Sequence, residues 1–198
     1  MQAKFLVGID EVGRGPVAGP VYVCAFLVAS DAIDEIISGI NVPLRDSKKL
    51  TEKMREKWFS YLQDLAKQKK IKYIVSKCSN REIDDKGIAV CIKACVNNSL
   101  EKLKLDEKNT KVFLDGGLFA HEKYNQETLI KGDENIPVIS LASILAKVLR
   151  DREMSDFAKK YSDYGFEKNK GYGTNAHMSV IKKVGTCPIH RISFLKNI

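Results

Sequence analysis

The distribution of apolar and polar residues divides the chain into alternating strand and helix segments. Short runs rich in β-branched and aromatic residues predict strands, and apolar residues spaced three and four apart predict amphipathic helices. The predicted strands cover residues 4–10, 20–29, 71–76, 111–115 and 128–131. The predicted helices are one that buries Met54, Trp58, Leu62 and Leu65, followed by residues 81–104, 141–161 and 175–184. This order predicts an α/β fold, a mixed five-stranded sheet flanked by helices, with a small C-terminal helical extension.

Polar residues in front of the helical patterns predict where the helices begin. Ser47 or Thr51 is the candidate N-cap of the first helix. Asn80 is the candidate for the second helix and Ser140 for the third. Gly87 weakens the first turns of the second helix. Its predicted buried stripe consists of Ile83, Cys91, Ala94, Cys95 and Asn98.

Two adjacent acids, Asp10 and Glu11, end the first apolar strand, and a glycine-rich turn with one arginine follows them. Acidic residues are rarely buried in a sheet unless something compensates their charge. A cation would provide that compensation, and glycines let backbone groups approach a ligand closely. The sequence therefore predicts a metal–carboxylate site beside a loop that reads a phosphate or a sugar.

Two further acids are candidates for the same site. Asp115 ends another apolar strand in front of two glycines, although an aspartate in that position is also typical of an ordinary turn. Asp151 follows Val148 by three residues and Ile144 by seven, which places it on the buried side of its helix. A buried aspartate needs a partner, so a metal ion and an ion pair with Lys147 explain Asp151 equally well.

The type of ligand narrows the choice of metal. Carboxylate oxygens without clustered histidine or cysteine suit Mg²⁺ or Mn²⁺ rather than zinc. Four carboxylates carry a charge of about −4, which is close to the charge of two divalent ions in a site for phosphoryl transfer.

Size and composition are those of an ordinary globular chain. The 198 residues include 33 basic and 25 acidic side chains, and the net charge of +8 favours a polyanionic partner. We expect no membrane association, because no segment has the length of a membrane span and the N-terminus is too short and polar for a signal peptide. The five cysteines are interpreted as buried thiols, which predicts a cytoplasmic location.

Three common enzyme motifs are excluded. The glycines of the turn have the wrong spacing for a dinucleotide-binding fingerprint, and a strand follows them instead of a helix. The chain has no Gly-Lys-Ser/Thr of a P-loop and no Gly-x-Ser-x-Gly of a serine hydrolase.

Several motifs together resemble the bacterial ribonuclease HII family. They occur in the order of the family and span nearly the whole chain, which makes the resemblance specific. They are Gly8-Ile9-Asp10-Glu11-Val12-Gly13-Arg14-Gly15-Pro16, Asp46-Ser47-Lys48-Lys49-Leu50, Leu114-Asp115-Gly116, Lys131-Gly132-Asp133, Ser140-Leu141-Ala142-Ser143 through Arg150-Asp151, Lys170-Gly171-Tyr172-Gly173-Thr174 with His177, and His190-Arg191-Ile192-Ser193-Phe194. Asn169 departs from the pattern, since many members have histidine there, and we expect it to tune substrate contact.

The resemblance implies an RNase H-like fold. A catalytic domain at residues 1–161 and a C-terminal helical extension at residues 162–198 would pack as a single unit. It also implies metal-dependent hydrolysis of RNA in RNA/DNA hybrids and incision on the 5′ side of ribonucleotides embedded in duplex DNA, leaving a 3′-hydroxyl and a 5′-phosphate. By position, the family's four metal-binding catalytic acids correspond to Asp10, Glu11, Asp115 and Asp151, which would hold Mg²⁺ or Mn²⁺, two ions during catalysis.

The resemblance also assigns substrate contacts. The turn Gly13, Arg14 and Gly15 corresponds to the loop that senses the ribose 2′-hydroxyl, and Tyr172 to the tyrosine that packs at the RNA–DNA junction. Further candidates for substrate contacts are Lys48, Ser143, Lys147, Arg150, Lys182, Lys183 and Arg191, although for each cation alone a solvated surface charge is the more ordinary role.

Nucleic acid is the only expected partner, namely RNA/DNA hybrid and ribonucleotide-containing duplex DNA. The tail at residues 193–196 lacks the glutamine of a typical sliding-clamp peptide, so no protein partner is expected, and a monomer is the default. Two alternatives stay open: another RNase H-like nuclease, and a non-catalytic nucleic-acid-binding module.

Overall fold

The computed structural model describes residues 3–196 and shows a five-stranded sheet with helices on both faces. The strands are β1 (Phe5–Val12), β2 (Val21–Ala29), β3 (Ile71–Cys78), β4 (Thr110–Asp115) and β5 (Gln126–Leu129). The helices are α1 (Ile33–Ser38), α2 (Glu52–Lys67), α3 (Asn80–Lys86), α4 (Ile88–Leu103), α5 (Gly132–Asn135), α6 (Pro137–Lys160), α7 (Phe166–Asn169) and α8 (Asn175–Val184). The first two and last two residues, which belong to the two predicted domains, lie outside the described residues.

The order of the strands brings three strand ends to one edge of the sheet. The order is β3-β2-β1-β4-β5, with β1 antiparallel to β2 and parallel to β4, and with β4 parallel to β5. Because β1, β4 and β5 run in the same direction, their carboxyl ends share an edge. The predicted mixed α/β sheet is confirmed, and Asp10, Glu11 and Asp115 lie at this shared edge.

Two separate apolar cores cover the two faces of the sheet. On one face α6 packs against β1 and β2, and α2 packs against α6 and β3, with Trp58, Phe26 and Ile144 fully buried. On the other face α4 packs against β2 and β3, with Val96 and Ile9 fully buried. Within residues 3–196 no helix is both long enough and apolar enough to cross a bilayer.

The predicted helix at residues 81–104 is wrong, because the chain forms two helices there. Gly87 has φ +83°, which separates α3 from α4, and Ser79 rather than Asn80 caps α3 in a capping box with Glu82. Because α4 starts afresh after the break, its own packing on the sheet decides which side chains are buried. Cys91 and Cys95 are buried as predicted, whereas the other two predicted members of the α4 stripe are exposed.

The long helix α6 begins four residues earlier than predicted. Proline fits its first turn because the first N–H groups of a helix have no intrahelical acceptor. Ser140 therefore lies inside the helix, and its hydroxyl donates to the carbonyl of Asp133 at 2.6 Å. The cap of α2 is Thr51, whose hydroxyl accepts from Met54 N at 3.3 Å.

Strand β1 lies directly against the first turn of α6. A β-carbon on Gly8 would overlap the backbone carbonyl of Val138 and the nitrogen of Ile139. Gly8 pairs with Phe26 of β2 and Phe113 of β4, so the strand cannot move aside without breaking its ladders. This close approach sets the distance between the end of β1 and the middle of α6.

The segment after α6 packs against α6 and the glycine-rich turn. An apolar cluster joins Ala18 of the turn and Met154 of α6 to Tyr164, Phe166 and Ile181. The segment therefore shares a core with the rest of the chain, and the division into two domains at residue 161 stays a prediction.

Two buried histidines in this segment form a directed chain of hydrogen bonds. His177 Nδ1 lies 2.9 Å from the carbonyl of Tyr172, and since a carbonyl only accepts, Nδ1 carries the proton. In a neutral ring Nε2 then accepts, so His190 Nε2 is the donor across their 3.1 Å separation. The unprotonated Nδ1 of His190 accepts from the Cys187 N–H at 2.8 Å.

Replacing Gly8 with alanine should destabilise the chain. The added methyl group overlaps backbone rather than a movable side chain, so we expect a loss of about 1–3 kcal/mol in the free energy of unfolding, measured by urea denaturation. Gly117→Ala is the matched control, because a β-carbon there meets nothing within 4 Å. Equal stability of the two variants would contradict the close packing of β1 on α6.

The contribution of His177 and His190 to stability should fall as the pH drops below the ordinary histidine pKa of 6.5. Burial lowers the pKa of His177 and of His190, so in this range the unfolded chain binds protons that the folded chain does not. The slope is at most about 1.4 kcal/mol per pH unit for each ring. Thermal unfolding between pH 7.5 and 5.5 measures it. The double variant His177→Asn/His190→Asn should lose this part of the pH dependence, and an unchanged slope would refute the assignment.

Candidate active site

A cleft of ≈ 360 Å³ opens at the shared edge of β1 and β4. Five segments converge on it: the end of β1, the loop before α2, the first turn of α2, the middle of α6 and the loop before α8. Its lining residues are Asp10, Glu11, Val12, Ser47, Lys48, Arg55, Ser143, Lys147 and Tyr172. Seven of these nine side chains are polar or charged, aromatic Tyr172 aside, which is typical of a site for a charged ligand.

Like charges meet at the floor of the cleft. Asp10 is only 6% exposed, and burial raises its pKa well above the usual range. A hydrogen bond from Ser143 acts against the rise, and the charges of Glu11 and Asp115 add to it. Burial also raises the pKa of Glu11, against the favourable charge of Arg14 at 3.4 Å. These acids are held together at a cost that a bound cation would offset.

A further acid, Asp133, joins this group, and sequence reasoning gave it no role. Its N–H donates to Asp115 Oδ1 at 3.3 Å, and the residue is 6% exposed. Burial raises the pKa of Asp133, and the charges of Asp115 and Asp46 add to the rise. The feature of the sequence that could have identified Asp133 is its position just beyond β5, whose carboxyl end lies at the same edge as those of β1 and β4.

The carboxylate of Asp151 contacts cations instead of the other acids. Lys147 Nζ lies 2.9 Å from Asp151 Oδ1, and Arg55 Nη2 lies 3.8 Å from Oδ2. This is the ion pair that the helical spacing left open beside a metal. The ligand role of Asp151 stays a prediction. Asp133, in contrast, contacts Asp115 through its N–H, and the charge of Asp115 acts on its carboxyl group.

The donor set fits a hard divalent cation. The grouped ligands are carboxylate oxygens, the ligand type that Mg²⁺ and Mn²⁺ prefer, and burial raises the pKa of Asp10, Glu11 and Asp133. Within residues 3–196 no three such side chains already stand at metal-binding geometry. The strand order gathers these acids at one edge of the sheet.

The turn after β1 presents backbone rather than side chains. Gly13 has φ +92°, and a β-carbon there would overlap the guanidinium of Arg150, so only glycine fits. Arg14 is half exposed beside Glu11. The arginines Arg150 and Arg191, expected to contact phosphate, are fully buried and donate to backbone carbonyls, so that expectation is wrong.

The loop that carries Tyr172 stands against this turn. Tyr172 is 40% exposed, and its ring lies 3.9 Å from where a β-carbon of Gly15 would be. Asn169 organises the loop, because its amide donates to the carbonyl of Tyr164 at 2.6 Å and its oxygen accepts from Gly171 N at 2.8 Å. A tyrosine face is therefore available beside the backbone of the turn.

Three further predicted contact residues line the cleft, namely Lys48, Ser143 and Lys147, whereas Lys182 and Lys183 lie in the last turn of α8 and do not line it. The Lys48 side chain is 75% exposed, with Nζ 3.8 Å from Asp133. Ser143 shares a 2.8 Å hydrogen bond with Ser47 and supports Asp10. Lys147 is largely buried, and burial lowers its pKa against the charge of Asp151. Lys48 is thus open to a ligand, whereas Ser143 and Lys147 are engaged with protein groups.

Comparison with known proteins identifies the family. The sequence profile of ribonuclease HII matches residues 7–197. Ribonuclease HII of Clostridium perfringens is 44% identical over 98% of this chain and 68% of the relative. Ribonuclease HII from Archaeoglobus fulgidus, solved in complex with PCNA, is 25% identical, with a TM-score of 0.73 over 95% of this chain and 94% of that one. Bst-RNase HIII in complex with Mn²⁺ shares the fold at 18% identity, with a TM-score of 0.67 over 93% of this chain and 64% of that one.

The fold, the acids at the end of β1 and the profile match agree. The chain belongs to the ribonuclease HII family, the type 2 ribonucleases H, which are metal-dependent endoribonucleases that hydrolyse RNA in RNA/DNA hybrids.

Proposed function

We propose that this ribonuclease H also incises duplex DNA on the 5′ side of an embedded ribonucleotide, leaving a 3′-hydroxyl and a 5′-phosphate. The observation that carries this proposal is the juxtaposition of the Gly13–Gly15 turn, Tyr172 and the acidic cleft. A backbone turn and one aromatic ring form a small reading surface, which suits a single sugar better than a long stretch of strand.

Two Mg²⁺ or Mn²⁺ ions would be held by Asp10, Glu11 and Asp115, with Asp133 as the preferred fourth acid and Asp151 as the alternative. The ions supply activation of water and neutralisation of charge at the leaving 3′-oxygen. The side chains of the cleft orient these acids: Ser143 supports Asp10, and the Asp133 N–H supports Asp115. Manganese in a ribonuclease HIII of the same fold supports the choice of ion.

Substrate recognition falls to the backbone and to few side chains. Arg14 and Gly15 offer N–H groups to the ribose 2′-hydroxyl, the group that distinguishes RNA from DNA. Tyr172 stacks on the adjoining sugar or base, and exposed Lys48 contacts a phosphate beside the cleft. Ser143 and Lys147 would contact substrate only at the cost of their present protein partners.

We propose a monomer in the cytoplasm with nucleic acid as its only partner. All five cysteines are free thiols, which agrees with a reducing compartment.

Replacing Asp10 with asparagine should abolish cleavage and leave hybrid binding largely intact, because the change removes a charge needed to hold the ions and preserves shape. The measurement uses a duplex containing one ribonucleotide, with Mg²⁺ and with EDTA. Incision on the 5′ side by the wild type, stopped by EDTA, is expected. Binding without any cleavage would favour the non-catalytic module, and cleavage of all-DNA junctions would favour another nuclease.

Asparagine variants of Asp133 and Asp151 distinguish the two candidates for the fourth acid. Asp133→Asn should lower the hydrolysis rate of a hybrid by more than about 100-fold, and Asp151→Asn by about tenfold or less, since the latter only alters a neighbouring ion pair. Rates at saturating Mg²⁺ and the Mg²⁺ concentration for half-maximal rate are the readouts. The reverse order would restore Asp151 as the ligand.

A further inference from the structure

His190 and Arg191 are neighbours in the sequence, and each holds a different substrate-facing loop. Both are buried, at 1% and 0% exposure. Arg191 contacts the Gly13–Gly15 turn, and His190 reaches the Tyr172 loop through His177. The two contacts come from one short piece of backbone, so the loops share a common support.

Arg191 orients the peptide groups of the turn. Its Nη2 donates to the carbonyl of Gly13 at 2.6 Å, and its Nη1 donates to the carbonyl of Arg14 at 3.1 Å. In a trans peptide the carbonyl and the following N–H point in opposite directions. The N–H groups of Arg14 and Gly15 therefore point away from the buried guanidinium, and neither has a backbone acceptor within residues 3–196.

The histidine chain orients the other loop. Proton direction runs from His190 Nε2 to His177 Nε2, and from His177 Nδ1 to the carbonyl of Tyr172. The same loop is tied to the turn by Val17 N, which donates to the carbonyl of Gly171 at 2.9 Å. The carbonyl of Tyr172 is thus held by the buried histidine, and the ring of Tyr172 lies next to Gly15.

The support itself is anchored on α3. Asn80 Nδ2 donates to the carbonyl of His190 at 2.9 Å, and Asp84 accepts from the N–H groups of Ile192 and Ser193, each at 2.9 Å. Helix α3 packs in the core through Ile83. The position of His190 and Arg191 is therefore set by the body of the protein.

We propose that His190 and Arg191 act as a positioning pair that fixes the spacing between the 2′-hydroxyl-reading turn and the Tyr172 ring, and so determines the preference for an isolated ribonucleotide. This rests on the proposed function. An isolated ribonucleotide offers one 2′-hydroxyl in one register, so both loops must meet it at a fixed spacing. A continuous RNA strand offers a 2′-hydroxyl in every register and tolerates a change of spacing.

The test is the ratio of two rates measured on one enzyme preparation: incision at a single embedded ribonucleotide and hydrolysis of a continuous RNA/DNA hybrid. The ratio cancels any loss of folded protein. Arg191→Lys keeps the charge, but one ammonium group cannot reproduce the fork of guanidinium bonds, so the ratio should fall about tenfold.

Two variants at His177 test the contact between His190 and the Tyr172 loop. The Tyr172 carbonyl accepts from His177 Nδ1 at 2.9 Å and from the Thr174 N–H at 2.8 Å. His177→Ala removes the first of these donors and should lower the ratio in the same direction. His177→Asn retains an N–H in the place of Nδ1 and should restore most of the ratio. These variants carry the test if Arg191→Lys does not fold.

Leu65→Ala is the control for lost stability. Leu65 is buried near the end of α2. The strand that follows α2 begins at Ile71, which pairs with Val28 at the end of the sheet away from the cleft. The variant should lower the melting temperature without changing the ratio. Amide hydrogen exchange gives a readout without activity: Arg191→Lys should speed exchange in residues 13–19, and Leu65→Ala should not.

The outcomes separate the inference from the function it rests on. A wild type that hydrolyses the hybrid and does not incise at the single ribonucleotide overturns the proposed function and, with it, the positioning pair. A wild type that incises both, with an unchanged ratio in Arg191→Lys and His177→Ala, overturns the positioning pair alone. A ratio that also falls in Leu65→Ala would show that general stability sets the preference, which overturns the pair as well.

Discussion

Burial of like charges at one edge of the sheet is the constraint on which the site depends. Parallel pairing of β1, β4 and β5 brings their carboxyl ends together, and with them Asp10, Asp115 and Asp133. Burial and mutual repulsion raise the pKa of Asp10 and of Asp133. Such an arrangement is unfavourable by itself and becomes favourable when a divalent cation binds. The strand order thus creates the demand for a metal before any ligand arrives.

The buried positive charges, in contrast, are placed next to backbone carbonyls. Arg150 and Arg191 have no carboxylate hydrogen-bond partner within residues 3–196, and their guanidinium groups donate to backbone carbonyls. Burial lowers the pKa of Arg191 to about 9, with Arg150 adding to the effect. These two arginines therefore do not neutralise the acids of the cleft, and they order the backbone of the glycine-rich turn and of the Tyr172 loop instead. The buried arginines thus hold the loops in place, and the buried acids of the cleft are left to bind metal ions.

Local patterns predicted most of the sheet and the strand-end acids. Alternating apolar runs suffice for β1 to β4, because a strand is recognised by its own side chains. Helix positions were less secure: Gly87 splits one predicted helix into α3 and α4. The roles of Asp151 and Asp133 were harder still to predict, because both are acids on or beside a buried face. The spacing of Lys147 and Asp151 allowed an ion pair, but it did not tell whether that pair or a metal ion satisfies Asp151.

By itself the sequence determined the strand and helix types, the pair Asp10 and Glu11 at a strand exit, and the family motifs, since each is a property of neighbouring residues. Only the tertiary structure decided that Asp151 pairs with Lys147, that Asp133 meets Asp115, and that Arg191 holds carbonyls instead of phosphates. The physical reason is that pairing of buried charge depends on which side chains meet across the fold, and spacing along the chain does not specify that.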